Sequence, residues 1–198
     1  MIEIIKNNNC PPYLDFFKYY NDALSTKQKN IEAICISSYN KNTGEVESRY
    51  VNLKYINNDE WIFFSNYESP KSNNFFKHPQ ISALFYWQNI DVQIRIKARI
   101  SKTDQNFSDL HFEKRDRKKN ALAISSKQSM KIESYTKVKE NFLKIYNSAS
   151  ELKRPSHWGG FTFVPYYFEF WEGHKSRLNK RKTYTYLNEG WKKEYLQP

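Results

Sequence analysis

Apolar and polar residues alternate along several short stretches of the chain, and twice the spacing becomes helical. Pro11-Pro12 can open a helix, and Leu14, Phe16, Phe17 and Tyr20 recur at helical intervals to about Leu24. Residues 1–12 read as an irregular arm. The apolar run Ile31–Ser37 predicts a strand, Asn40–Gly44 a turn and Val46–Tyr55 a second strand, which together predict a hairpin. Asn57–Asp59 marks the next turn, before a strand over Trp61–Ser65. Ser69 and Pro70 fit the cap and first turn of a short helix ending at Lys77. Ile81–Trp87 and Val92–Lys102 predict two further strands. In the second, Gln93, Arg95, Lys97 and Arg99 share one face, and Ile94, Ile96, Ala98 and Ile100 share the other. From Thr103 to about Ser148 the pattern is helical and polar, with breaks near Asp116 and Ser129. Strands return from Phe161 onward.

Strands, a helical insert and more strands predict a mainly β fold with helices (α+β): an antiparallel barrel with peripheral helices. No repeat or linker interrupts the 198 residues, which predicts one domain over 1–198 with a substantial core. Lys and Arg number 32 against 21 Asp and Glu, a formal charge of +11. This excess points to anionic partners: nucleic acid, acidic membrane or phosphorylated small molecules. The charge is spread along the chain, so it does not choose among them. The absence of an RNA-binding signature argues against nucleic acid. No apolar stretch is long enough to span a bilayer and no targeting pattern opens the chain, so a cytoplasmic protein with no membrane partner is expected. Cys10 and Cys35 lack metal-ligand spacing, and His78 and His157 have no ligand neighbours, so no metal site is expected.

Two regions suggest chemistry. Trp158–Gly173 is an aromatic, strand-like segment that opens with Gly159-Gly160, and His174-Lys-Ser-Arg-Leu-Asn-Lys-Arg181 follows it. An aromatic ribbon ending in clustered cations suits a flat ring carrying a phosphate, and equally describes a core strand followed by a solvated basic turn. Arg49 and Lys54 bracket the second strand. Strict alternation puts positions five apart on opposite faces, so both can serve one ligand only across a bulge or at a strand end. His111, Arg115 and Lys119, spaced by four, would share one helix face, which is also how a solvated cationic face looks.

Trp158-Gly-Gly, Glu169-Phe-Trp and Arg177-Leu-Asn-Lys-Arg181, with Gly190-Trp191 and Leu196-Gln-Pro198, resemble the C-terminal signature of the pyridoxamine 5'-phosphate oxidases. These are FMN enzymes that make pyridoxal 5'-phosphate. The resemblance extends through Arg49-Tyr-Val-Asn-Leu-Lys54, Phe63-Phe-Ser-Asn-Tyr-Glu-Ser-Pro-Lys71, Phe85-Tyr-Trp87 and Lys127-Gln-Ser129, in order, from about Asp15 to Pro198. It implies an FMN-binding split β-barrel that forms a homodimer with flavin at the subunit interface. The implied FMN contacts are Arg49, Lys54, Phe64, Ser65, Lys71, Gln93, Gln128, Ser129, Trp171 and Arg181. Lys54, His111, Arg115 and Lys119 are implied to hold the phosphate of a small-molecule substrate. Arg177 and Asn179 are implied to lie at the substrate as catalytic residues.

The chain also departs from the family pattern. Pro70 stands where an Arg precedes the family Lys. His111 and Lys119 replace a Tyr and a Ser, and Asn179-Lys180 replaces a His and an acidic residue. An amide cannot take up a proton as imidazole does. The implied reaction is oxidation of pyridoxine or pyridoxamine 5'-phosphate, with oxygen as acceptor and hydrogen peroxide as product. The departures keep two alternatives open: a flavoprotein of this fold with another substrate, as in phenazine biosynthesis, or a non-catalytic binder of flavin or vitamin phosphate.

Overall fold

The computed structural model describes residues 1–188 and 190–198. Nine strands and five helices follow in the order β1 (Glu3–Lys6), α1 (Pro11–Ser25), β2 (Ala33–Tyr39), β3 (Val46–Asn57), β4 (Glu60–Asn66), α2 (Pro70–Lys77), β5 (Gln80–Trp87), β6 (Val92–Lys102), α3 (Gln105–Lys114), α4 (Arg117–Ser125), α5 (Tyr135–Tyr146), β7 (Trp158–Glu172), β8 (Lys180–Leu187) and β9 (Gly190–Leu196). Antiparallel pairing runs β3–β2–β5–β6–β7, and β4 pairs with both β7 and β3, so six strands close into a barrel. Beyond β7 the sheet continues as a ribbon of β8 and β9.

The inward side chains are those the alternation selects. Ile34 and Ile36, Ile81, Ala83 and Phe85, Ile94, Ile96 and Ala98, and Phe161 and Phe163 are all buried. Each large side chain removed from water contributes roughly 1.5–3 kcal/mol. Helix α1 lays Tyr13, Phe16 and Tyr20 on this core, with the Phe16 ring 4.5 Å from Trp61. Its other side is tied to the end of β7 and to β8: Tyr19 donates to Glu172 at 2.5 Å, and Asp15 receives Tyr184 and Lys182 at 2.6 Å each.

Within the barrel, alternation breaks at two places. In β3 the register with β4 slips between Leu53 and Tyr55, so Lys54 is an extra residue and the buried positions Leu53 and Ile56 are three apart. In β7 the register with β6 slips opposite Lys97 and Ala98, next to Pro165, and the buried positions change from Phe161 and Phe163 to Phe168 and Phe170. Proline has no N–H for the ladder, which suits an interrupted position.

The N-terminal arm is not wholly irregular. Glu3–Lys6 forms β1, which pairs in parallel with the end of β3, and Ile2 is buried with its N–H on the Tyr20 hydroxyl at 2.9 Å. The pairing uses an edge of β3 that β2 leaves free, and four residues show too little alternation to announce it.

Candidate functional site

The cavity at this site follows from how β3 changes partners. β2 pairs with β3 only as far as Asn52, and β4 joins only from Leu53. One edge of residues 46–52 thus has no strand partner among the described residues. A cavity of about 540 Å³ opens here, lined by Arg49, Lys54, Phe64, Ser65, Lys71, His111, Arg115, Lys119 and Gln128, among others. The extra residue in β3 lets Lys54 face the same cavity as Arg49.

Arg49 donates to Ser38 Oγ at 2.9 Å and pairs with Glu47. Lys71 lies in the first turn of α2, is buried, and donates to Ser69 Oγ at 2.9 Å. Among the described residues it has no carboxylate partner. Burial first, and the Arg49 charge second, push its ammonium down to about 8. Ser69 occupies the cap position and Pro70 the first turn, as expected, although the Ser69 hydroxyl bonds Asn66 O and Ser72 rather than a helical N–H.

Phe64, His111 and Trp158 form a stack beside these cations. The Phe64 and His111 rings lie 3.7 Å apart at 11°, and Phe64 and Trp158 5.3 Å apart at 15°. Gly160 makes room for this arrangement, because a Cβ there would sit 2.6 Å from Thr103 Oγ1 and 3.2 Å from Phe64. His111 Nδ1 and the Tyr55 hydroxyl share a 2.8 Å hydrogen bond. Burial, then Arg115, Lys54 and Lys114, lower the imidazole to about 4, so His111 is neutral at pH 7. The Arg115 guanidinium lies 4.3 Å from the Trp158 ring centre and donates to Asn120 Oδ1 at 3.2 Å.

His111, Arg115 and Lys119 do not share one continuous helix face. Helix α3 ends at Lys114, Arg115 is extended, and Asp116 caps α4 by accepting from Lys118 N–H at 2.9 Å. The helical break expected near Asp116 is therefore present, and the three side chains meet at the cavity across it. Ser129, at φ 68°, lines an adjoining cavity with Arg49, Lys71 and Gln128. Sequence reasoning quoted Trp158 in the C-terminal signature but gave no site role to Lys114, Trp158 or Asn120. Lys114 and Trp158 line the cavity, and Asn120 holds Arg115. The Arg-Asp-Arg run around Asp116 hinted at a capped second helix and hence at an inward Asn120.

The remaining expected residues lie elsewhere. Gln93, Trp171 and Arg181 are neighbours in one row across β6, β7 and β8. Arg181 is held by buried Glu169, which receives its Nη2 at 2.7 Å and its Nε at 3.1 Å, together with Arg95 Nη1 at 2.9 Å and the Tyr167 hydroxyl at 3.0 Å. Burial would raise the Glu169 carboxyl, but these donors hold it below the usual carboxylate range. Arg177 and Asn179 lie in the loop between β7 and β8, with Arg177 at φ 61°. In the single chain neither this row nor this loop lines the 540 Å³ cavity.

The donor set suits phosphorylated ligands. Asp116 is the only carboxylate among the described residues lining the cavity, and its side chain already caps a helix. Buried Lys71 in particular has a charge without a counter-ion, which a phosphate oxygen would satisfy.

A profile described as "Pyridoxamine 5'-phosphate oxidase" matches residues 21–148. The chain belongs to the pyridoxamine 5'-phosphate oxidase family. A second profile of the family, the "Pyridoxine 5'-phosphate oxidase C-terminal dimerisation region", covers residues 158–198, which hold the Gln93 row's partners Trp171 and Arg181 and the Arg177 loop. Family relatives include the pyridoxine/pyridoxamine 5'-phosphate oxidase of Herminiimonas arsenicoxydans, 32% identical over 94% of this chain and 89% of its own. The chloroplastic enzyme 1 of Arabidopsis thaliana is also 32% identical over 94% of this chain, which spans 36% of that longer protein. Among solved structures, PhzG from Burkholderia lata 383, in complex with tetrahydrophenazine-1-carboxylic acid, superposes with a TM-score of 0.90 at 21% identity, covering 98% and 94% of the two chains. A pyridoxamine 5'-phosphate oxidase-related, FMN-binding protein of Nostoc punctiforme gives 0.76 at 12% identity, covering 96% and 99%. These two likenesses show that the split-barrel fold is the family's.

Proposed function

We propose that this FMN-dependent oxidoreductase oxidises pyridoxine and pyridoxamine 5'-phosphate to pyridoxal 5'-phosphate, with oxygen as acceptor and hydrogen peroxide as product. The observation that carries the reading is the cavity itself, in which six cations converge on an aromatic stack and one of them, Lys71, is buried without a counter-ion. Two phosphorylated rings supply the charge and the flat surfaces that such a cavity matches. Arg49, Ser65, Lys71, Gln128 and Ser129 hold the FMN end, with Phe64 at its edge. Lys54, Arg115, Lys119 and the remaining ring nitrogen of neutral His111 hold the substrate phosphate. FMN supplies the hydride acceptor; the protein binds and orients both rings.

Gln93, Trp171, Arg181 and the Arg177 loop cannot serve a cavity they do not line, so a second copy of the chain delivers them. We accordingly propose a homodimer with two composite sites, in which Arg177 positions the substrate over the flavin. Sedimentation at micromolar concentration is expected to give twice the 23.9 kDa chain mass. A monomer that holds FMN at full occupancy contradicts this.

Purified protein supplied with FMN is expected to convert pyridoxine 5'-phosphate to the aldehyde with one equivalent of hydrogen peroxide. The departures at His111, Lys119 and Asn179 define the rival outcome. Full FMN binding without turnover of either vitamer assigns the pocket to another substrate of the same fold.

A further inference from the structure

Tyr55 follows the extra residue of β3 and is held from both edges of that strand. Its backbone pairs with Ile62 of β4 and with Glu3 of β1. Its ring meets three others edge-on: Phe107 at 5.2 Å, His111 at 5.4 Å and Phe64 at 6.2 Å. Phe107 lies one turn before His111 on α3, so one helix face supplies two of these contacts. The hydroxyl therefore meets His111 Nδ1, at 2.8 Å, from a fixed direction. His111 lines the 540 Å³ cavity and Tyr55 does not. Nδ1 is thus engaged by a residue outside the cavity. Nε2, with no hydrogen-bond partner among the described residues, is left for a ligand.

Two proton arrangements satisfy this bond with both groups neutral. Either Tyr55 donates to Nδ1 and the imidazole proton is on Nε2, or Nδ1 donates to the phenolic oxygen and Nε2 carries a lone pair. A phosphate oxygen accepts, so a phosphate at Nε2 requires the first arrangement. The groups around the pair permit it. Burial, then Glu3, raise the Tyr55 hydroxyl above its ordinary range, so it keeps its proton. Burial, then the cations Arg115, Lys54 and Lys114, keep the imidazole uncharged.

We propose that Tyr55 is a positioning residue for substrate binding: by donating to Nδ1, its hydroxyl fixes the tautomer in which neutral His111 presents Nε2–H to the substrate's phosphate. The inference rests on the functional reading above in one respect, that a substrate phosphate meets His111. Tyr55 itself touches no ligand. It sets direction and tautomer, so the imidazole donates without bearing charge, while Lys54, Arg115 and Lys119 supply the charge. In a chain of two hydrogen bonds each donor polarises the next, which strengthens the bond to the phosphate.

The test uses FMN-loaded protein labelled with nitrogen-15 in its four histidines, in a phosphate-free buffer to which inorganic phosphate is added. His111→Phe, which keeps an aromatic ring on Phe64, assigns the His111 signals. With phosphate saturating, the wild type is expected to show a protonated Nε2 and an unprotonated Nδ1 throughout the neutral range, because the imidazole becomes charged only near about 4. Tyr55→Phe keeps the ring contacts and removes the hydroxyl. It is expected to raise KM for pyridoxine 5'-phosphate, and the dissociation constant of inorganic phosphate, by roughly 2- to 10-fold, with kcat and FMN affinity unchanged. In the His111→Phe background the same substitution is expected to change neither constant, since the hydroxyl then has nothing to direct.

A wild-type Nδ1 that carries the proton with phosphate bound overturns the inference, as do His111 signals that do not respond to phosphate. So does an unaffected Tyr55→Phe variant, or a penalty of the same size with and without His111, which is the mark of packing alone. A wild type that turns over neither vitamer, yet shows this tautomer and the Tyr55-dependent phosphate affinity, overturns the vitamer reading and leaves the role of Tyr55 standing for another phosphorylated substrate.

Discussion

Lys71→Met is expected to raise the FMN dissociation constant by roughly 10- to 150-fold while raising the melting temperature of the FMN-free protein. The opposed signs follow from one fact, that the ammonium is buried beside a hydroxyl and the Arg49 cation, with no carboxylate partner among the described residues. A charge-assisted bond to phosphate is worth about 1.5–3 kcal/mol, and an unpaired buried charge opposes folding. Flavin fluorescence titration and thermal melts check both signs, and an unchanged FMN affinity would remove Lys71 from the site. The pH dependence is equally defined. Folding lowers the ammonium from its ordinary 10.5 to about 8, so between these values the unfolded chain holds the extra proton. The penalty is present in full below about pH 8, and the FMN-free protein gains stability as pH rises through that window. Phosphate favours the charged form, so FMN affinity falls above about pH 8. Met at this position flattens both dependences.

Arg115→Met is expected to raise KM for both vitamers by roughly 10- to 100-fold with little change in kcat. The guanidinium is held on Trp158 and by Asn120, so it meets the substrate phosphate already oriented. That phosphate lies away from the reacting carbon, and its loss removes ground-state and transition-state binding alike. Arg115→Lys is not expected to restore KM, because an ammonium offers neither the planar stack nor the fork of donors. Steady-state kinetics at saturating FMN decides it; a reduced kcat at unchanged KM would place Arg115 in the chemical step instead.

The barrel was readable because its strands obey alternation over most of their length. The Val92–Lys102 strand has its isoleucines inside, and the helical breaks fall where Asp116 and Ser129 suggested. Departures from periodicity were not readable. Nothing in Arg49-Tyr-Val-Asn-Leu-Lys54 announces an extra residue, so the sequence could state only that both cations needed one in order to converge. The four-residue β1 was missed for a related reason, since its place is fixed by a vacant edge of β3 and not by its own pattern. Local sequence is also silent on which side chains are already engaged. Arg181 and Arg95 share Glu169, and Asn179 is bound to a backbone N–H, facts that depend on strand register and loop closure.

The extra residue in β3 separates two demands that usually compete within one strand. Without Lys54, Leu53 and Ile56 would fall two apart, Asn52 and Tyr55 would keep their side, and the ladder to β4 would run unbroken. Inward packing on either side of it is supplied by Leu53 and Ile56, so the Lys54 side chain carries none of the core. That side chain can vary at little expense to the core while altering what the cavity recognises. In protein engineering terms, Lys54 is a site where ligand preference can be retuned with the scaffold left intact.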